Sequence, residues 1–313
     1  MHRLGYVLSD GFQLLALSTQ SVFEFANFVA GETFYELSSY SETGGEVRSS
    51  AGVRVLTQPL RSCTEADTWL VTGVFDPIAA PSSEGVRKFL RRSERHARRI
   101  AGLCTGGFVL AEAGLLDERR ATTHWFFARE MQARHPAIRV EEDRIFIIDG
   151  AIWTSAGMSA ALDLALAMVE ADLGDAVARS VAKKLVMAQR RSGGQSQHSE
   201  QLELVPKSDR VQQAMDYARA HLKQALSVED LADVASLSPR QFSRVFTAEI
   251  GLSPAKAVEG MRLEAARLMI EQSRHPLEVV ARETGFRDRR HLREVFVRKF
   301  GVPPQATRRS ARV

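Results

Sequence analysis

Ser236-Leu-Ser-Pro-Arg-Gln-Phe-Ser-Arg-Val-Phe246 and Thr284-Gly-Phe-Arg-Asp-Arg-Arg-His-Leu-Arg-Glu-Val-Phe296 follow one design. Each opens on polar, cap-like residues, sets arginines on one side and closes on an apolar seam. Phe242, Val245 and Phe246 recur at i, i+3 and i+4, and Leu292, Val295 and Phe296 repeat that spacing. Such spacing predicts an amphipathic helix with a buried stripe. Arg240 and Arg244 in the first, and Arg289, Arg290 and Arg293 in the second, are left on the outer face. A short helical segment precedes each across a tight turn: Val228 to Ala235 before the first, Pro276 to Glu283 before the second. This is helix-turn-helix written twice. Ser253 to Gln272, SPAKAVEGMRLEAARLMIEQ, joins the copies and reads as one long helix, capped by Ser253 with Pro254 at the first helical position. A rigid helix between two such heads fixes their separation. Successive major grooves on one face of B-DNA lie about 34 Å apart, so one chain so built could read both.

Charge follows the same division. Lys207 to Val313 holds 20 Lys and Arg against 13 Asp and Glu, a net of +7, while Met1 to Pro206 carries −3. A basic run alone is usually a solvated face, as for Arg87 to Arg99 in the N-terminal part. Coincidence with two recognition helices turns the C-terminal excess into a phosphate footprint. At 313 residues and 44% hydrophobic content, the chain can supply two cores. Two cysteines, Cys63 and Cys104, cannot make a disulfide framework. The start does not resemble a signal peptide, and no apolar run approaches the ~18 residues of a membrane span. A cytoplasmic location is therefore expected. Asp143, Asp149 and Asp163 lack metal-ligand spacing with His or Cys, and no phosphate-binding loop appears, so neither metal nor cofactor is expected.

The C-terminal motifs LSPRQFSRVF, SPAKAV, RLEAARLMIE, VVARETGF and FVRKFGVPPQATR together resemble the DNA-binding domain of the AraC/XylS family. The resemblance implies base-reading positions at Arg240, Ser243 and Arg244 in the first recognition helix, and at Arg289, Arg290, His291 and Arg293 in the second. Glu294 stands where that family commonly has a long basic or polar side chain, and it is left out of this set. Double-stranded DNA is the implied partner, with RNA polymerase as a further one.

In the N-terminal part, strand signals (Arg3 to Ser9, Tyr35 to Ser41, Val53 to Thr57, Thr68 to Thr72, Arg98 to Leu103) alternate with helical stretches (Phe12 to Phe28, Glu84 to Ser93). Alternation of this kind predicts an α/β domain with a largely parallel, flavodoxin-like sheet. Short strands at Ile138 to Val140, Ile145 to Ile148 and Ile152 to Thr154 follow, with a hairpin at Asp149-Gly150. A single long helix from about Ser159 to Arg191 would close the domain. The expected organisation is 1–192 as an α/β sensor, 193–207 as a polar, glycine-bearing linker and 208–309 as an all-α DNA-binding domain with two helix-turn-helix motifs.

Gly102-Leu-Cys104-Thr-Gly106 places a thiol between a strand and a helix of small residues, in the nucleophile-elbow pattern. The helix dipole is expected to lower the pKa of a thiol so placed, and His124 could serve as base. The elbow, AGLLDERRATTHW and DGAIWTSAGMSAALDLALAMVE resemble PfpI/ThiJ-like proteins of the class I glutamine amidotransferase superfamily, in the version fused to AraC-type regulators. That superfamily's pair works with an acidic residue after the first strand, where this chain has Ala16; Glu24 is the nearest carboxylate. The expectation is a vestigial Cys104–His124 pair, not an enzyme, in a pocket lined by Cys104, Thr105, His124 and Gly73. The resemblance implies an amino acid or amine-type effector and a homodimer. The alternatives are a cysteine-dependent amidase or hydrolase, and a redox sensor using Cys104.

Overall fold

The strands of the N-terminal half alternate their apolar residues between two faces, and two helical layers cover those faces. This computed structural model describes residues 1–61, 65–187, 191, 193, 197 and 208–310, in two compact units, Met1–Gln197 and His198–Val313. Cys63 lies outside the described residues. In the first unit the strands are β1 (His2–Val7), β2 (Tyr35–Ser41), β3 (Gly45–Arg48), β4 (Arg54–Pro59), β5 (Thr68–Thr72), β6 (Arg99–Leu103), β7 (Arg120–Ala121), β8 (Arg139–Val140), β9 (Phe146–Asp149) and β10 (Ile152–Ser155). Eight of them form one sheet in the order β3-β4-β2-β1-β5-β6-β10-β9, while β7 and β8 pair separately. Its interior pairings are parallel, and only the edge strands β3 and β9 run antiparallel to their neighbours.

Period-two alternation decides the layers. Leu4 and Tyr6 of β1, Leu70 of β5, and Ala101 and Leu103 of β6 face a layer of α1 (Thr19–Ala30), α5 (Met158–Leu173) and α6 (Asp175–Lys184). Val7, Trp69, Val71 and Ile100 face the opposite layer, where α2 (Glu84–Ser93) and α3 (Gly106–Glu112) supply Val86, Phe89, Leu90 and Leu110. Gly5 makes room for the buried Trp69: a Cβ there would lie 2.2 Å from the indole ring.

Two helices differ from the sequence reading. Phe12 to Phe28 is not one helix; a 3₁₀ turn over Leu14–Ser18 precedes α1. The single helix expected from Ser159 to about Arg191 is broken at Gly174, whose φ of 86° ends α5 and starts α6. Only glycine takes that left-handed backbone without strain, and the break lets α6 fold back onto α5 and α1.

The second unit is helical: α7 (Asp209–Ala220), α8 (Val228–Val234), α9 (Pro239–Ile250), α10 (Pro254–Gln272), α11 (Leu277–Glu283), α12 (Arg289–Phe300) and α13 (Pro304–Ser310). The pairs α8–α9 and α11–α12 repeat in detail. Each first helix ends in a Schellman pattern: the Leu237 amide donates to Ala232 O (3.0 Å) and the Phe286 amide to Ala281 O (2.8 Å). The left-handed residue is Ser236 (φ 53°) in one and Gly285 (φ 77°) in the other. Each second helix is capped by a side chain, Ser238 on the Gln241 amide and Asp288 on the His291 amide. The two copies have separate cores. Phe242, Phe246 and Leu231 pack with Ala257, Val258 and Met261 from the first half of α10. Phe296, Leu292 and Val280 pack with Leu263, Ala266 and Ile270 from its second half.

Candidate functional site

Cys104 occupies the sharp turn between β6 and α3 with φ 54°, in the left-handed region that L residues seldom adopt. The close approach of the neighbouring loop holds the turn. Thr105 donates its hydroxyl to Val74 O at 2.6 Å, and a Cβ at Gly73 would stand 2.0 Å from that hydroxyl. Thr123 donates to Cys104 O at 3.0 Å, and the Cys104 amide donates to Ser155 Oγ at 3.4 Å. The structure therefore brings Gly73, Cys104 and Thr105 together at one turn. The side chain of Cys104 is buried, and burial pushes its thiol up to about 11, against weaker opposition from the Thr105 amide and hydroxyl. Contrary to the expected lowering by the helix dipole, the desolvation cost of a buried thiolate exceeds what the end of α3, a helix of seven residues, returns.

His124 caps α4 (Trp125–Arg134), its Nδ1 accepting from the Phe126 amide at 3.3 Å. A neutral ring so engaged carries its proton on Nε2, leaving neither nitrogen set to receive one from a thiol. Burial also lowers the His124 pKa. Among the described residues no hydrogen bond joins Cys104 to His124. Ala16 is fully buried in the 3₁₀ turn, and Glu24 is exposed on α1, so neither provides a carboxylate beside the buried sulfur. One consequence is measurable. Alkylation of Cys104 by iodoacetamide, followed by peptide mass, is expected to be slow at pH 7 and to rise about tenfold per pH unit towards pH 11, since the thiolate is the reactive form. Fast alkylation at pH 7 would contradict the burial.

Sequence reasoning missed Gln197. Its amide nitrogen, with two N–H groups to share, stands 2.8–3.1 Å from Thr122 Oγ1, Thr123 O, Glu142 O and Arg144 O, and its oxygen accepts from the Trp125 amide at 2.9 Å. Three of these contacts fasten it to the segment that carries His124, and two to the chain between β8 and β9. A glutamine in a polar run offers no periodicity or motif by which to find it.

In the second unit Arg240, Arg244, Arg289, Arg290 and Arg293 are exposed, whereas Ser243 and His291 are half-buried. His291 turns its ring edge to Phe286, with 5.5 Å between centroids. The heads differ electrostatically. Arg289 pairs with Glu278 at 3.0 Å and Arg290 with Glu294 at 2.9 Å, while Arg240, Arg244 and Arg293 have no ion-pair partner among the described residues. Among the described residues no cluster of His, Cys, Asp and Glu could hold a metal ion, and no helix is long and apolar enough to cross a membrane.

Comparison with known proteins agrees with this division. The DJ-1/PfpI family matches residues 19–171, and the helix-turn-helix domain family matches residues 231–310. The HTH-type transcriptional regulator GlxA of Rhizobium meliloti is 30% identical over 319 residues, spanning 99% of this chain and 96% of the relative. An isonitrile hydratase of Pseudomonas putida is 33% identical over 143 residues, 45% of this chain and 61% of that enzyme. A crystal structure of an AraC family transcriptional regulator from Pseudomonas putida superposes with TM-score 0.54 at 23% identity, covering 59% of this chain and 100% of that one, a likeness of fold. The chain belongs to the AraC-type helix-turn-helix transcriptional regulators that carry an N-terminal DJ-1/PfpI domain. It is a DNA-binding transcription regulator.

Proposed function

We propose that the α/β domain, residues 1–192, is a non-catalytic sensor that binds a small amino acid or amine-type metabolite beside Gly73, Cys104, Thr105 and His124. The observation that carries this reading is the state of the elbow: a buried, protonated thiol without hydrogen bond to His124, and alanine at position 16. Such a site keeps the strand-turn-helix elbow of a nucleophile without its chemistry. Gln197 supports a route outward, because a ligand that moved the Thr122–Trp125 segment would also move the start of the 193–207 linker to the DNA-binding domain at 208–309. The protein would work as a cytoplasmic homodimer on repeated or palindromic half-sites, with RNA polymerase as a downstream partner. The likeness to isonitrile hydratase favours a second reading, hydration or hydrolysis at Cys104, which requires a thiolate at working pH.

For DNA, Arg240, Ser243 and Arg244 on α9, and Arg289, Arg290, His291 and Arg293 on α12, are the proposed contacts. Guanine is the natural partner of such arginines, at about 1–3 kcal/mol of discrimination per bidentate pair. The test is Arg244→Ala, with affinity measured on the preferred site and on single-base variants. The expected result is a loss concentrated on the intact site, with discrimination at one base pair relaxed by about tenfold or more. Equal weakening on every sequence would make Arg244 a phosphate contact instead.

A further inference from the structure

The cores of the two heads place their recognition helices in register. Phe242, Val245 and Phe246 of α9 occupy the positions of Leu292, Val295 and Phe296 of α12, a constant offset of 50 residues. The caps Ser238 and Asp288 keep the same offset. Carried to the outer face, it sets Arg240 against Arg290, Ser243 against Arg293, Arg244 against Glu294 and Thr247 against Val297. At one position of the reading surface the two heads therefore carry opposite charge. Arg244 and Glu294 are both exposed. Glu294 holds the Arg290 guanidinium from four residues on, at 2.9 Å. Val297, one turn beyond Arg293 and Glu294, is 38% exposed on a face that the core does not use.

A guanidinium only donates, and the major-groove edge of guanine offers it two acceptors. A carboxylate only accepts, so on the major-groove edge of a base its partner can only be an amino group, N4 of cytosine or N6 of adenine. Opposite guanine O6 or thymine O4 it would be desolvated against another acceptor and repelled by the flanking phosphates. Arg290 beside it offsets that repulsion, so the pair can enter the groove together. The exposed isopropyl group of Val297 suits a thymine methyl on the same strand face.

We propose that Glu294 is a specificity-determining residue, reading a base-edge amino group in the second half-site where Arg244 reads guanine in the first. The two half-sites would then be unlike, and the operator bound by one chain would have a direction. This rests on the reading of α9 and α12 as base-reading helices.

The experiment is selection of bound duplexes from a randomised pool by the full chain, its Glu294→Ala, Glu294→Arg and Arg244→Ala variants, with affinities then measured on single-base variants. Glu294→Ala is expected to erase a cytosine or adenine preference at one position of the second half-site, by about tenfold or more, and to leave the first unchanged. Which base the unaltered chain selects there tells N4 from N6. Glu294→Arg is expected to replace that preference with guanine, making the half-sites alike at that position. If Glu294→Ala instead raises affinity on all sequences alike, Glu294 is only a repulsive charge and the inference is overturned. If Arg244→Ala erases its guanine while Glu294→Ala changes no base preference, the heads stand and this inference alone falls. If neither substitution alters either half-site, the assignment of both helices as base readers falls with it.

Discussion

Asp172→Asn is expected to destabilise the N-terminal unit by about 3–5 kcal/mol, the range for breaking a buried ion pair from one side. Asp172 lies in the last turn of α5 with a side chain wholly shielded from solvent, and its carboxylate gathers groups from two strands and from the residue before one of them. Arg99 of β6, itself only 3% exposed, reaches Oδ2 with its guanidinium; the Tyr35 hydroxyl of β2 donates to the same oxygen at 2.9 Å; Arg98 meets Oδ1 at 2.9 Å. Arg99 also donates to Thr68 Oγ1 at 3.0 Å, which His2 Nε2 approaches to 2.9 Å. An amide at position 172 would leave the Arg99 cation buried without a counter-charge. Urea unfolding of the variant would check the figure. Replacing the pair together, as Asp172→Leu with Arg99→Met, is expected to recover most of the loss, because the buried charge disappears with its partner. A cost below about 1 kcal/mol for Asp172→Asn would mean that Arg99 is hydrated in solution. Acid acts at the same end of the sheet. Burial holds the His2 pKa below its ordinary 6.5. A depressed folded value means that the stability His2 contributes is present above pH 6.5 and is lost as pH falls through its lowered value.

Much of this was legible in the sequence, for reasons that differ between the halves. The helix-turn-helix pairs are local: cap, basic face and apolar stripe fall within a dozen residues, so periodicity alone places Phe242, Phe246, Leu292 and Phe296 in the cores that hold them. The strands β2 and β5 and the helix α2 were readable to the residue: β5 is an apolar run stopped by Gly73, and α2 starts at the Ser83 cap with Val86, Phe89 and Leu90 at helical spacing. What could not be read is non-local. The break at Gly174 lay inside a run apolar enough to pass for one helix, and only the return of α6 onto α1 requires it. The Asp172–Arg99 pair joins residues 73 apart, and neither carries a motif. The elbow was legible as a shape from Gly102 to Gly106. The state of its thiol was not, because burial is a property of the packed layers around Cys104 rather than of the turn.

Phe296→Ala is expected to cost about 3–5 kcal/mol, the usual loss for truncating a buried phenylalanine, and to fall on one head of the DNA-binding unit. Phe296 is fully buried, packs on Phe300 with 4.5 Å between ring centroids, and holds α12 against Leu263, Ala266 and Ile270 of α10. A head built on a core this small has little stability to spare. Since the first head rests on Ala257, Val258 and Met261 and on α7, it loses no contact when Phe296 is removed. Hydrogen exchange should show amides of α11 and α12 opening while those of α8 and α9 keep their protection. On DNA, protection of the second half-site should vanish first and that of the first half-site persist, with affinity reduced to that of a single head. Phe246→Ala should give the mirror image, since its ring holds the equivalent place in the first core. Loss of both heads together in either variant would show that α10 is a cooperative strut rather than a spacer shared by two separate cores. The distinction matters for regulation, because heads that melt independently can be engaged one at a time, and an effector need then control only one of them.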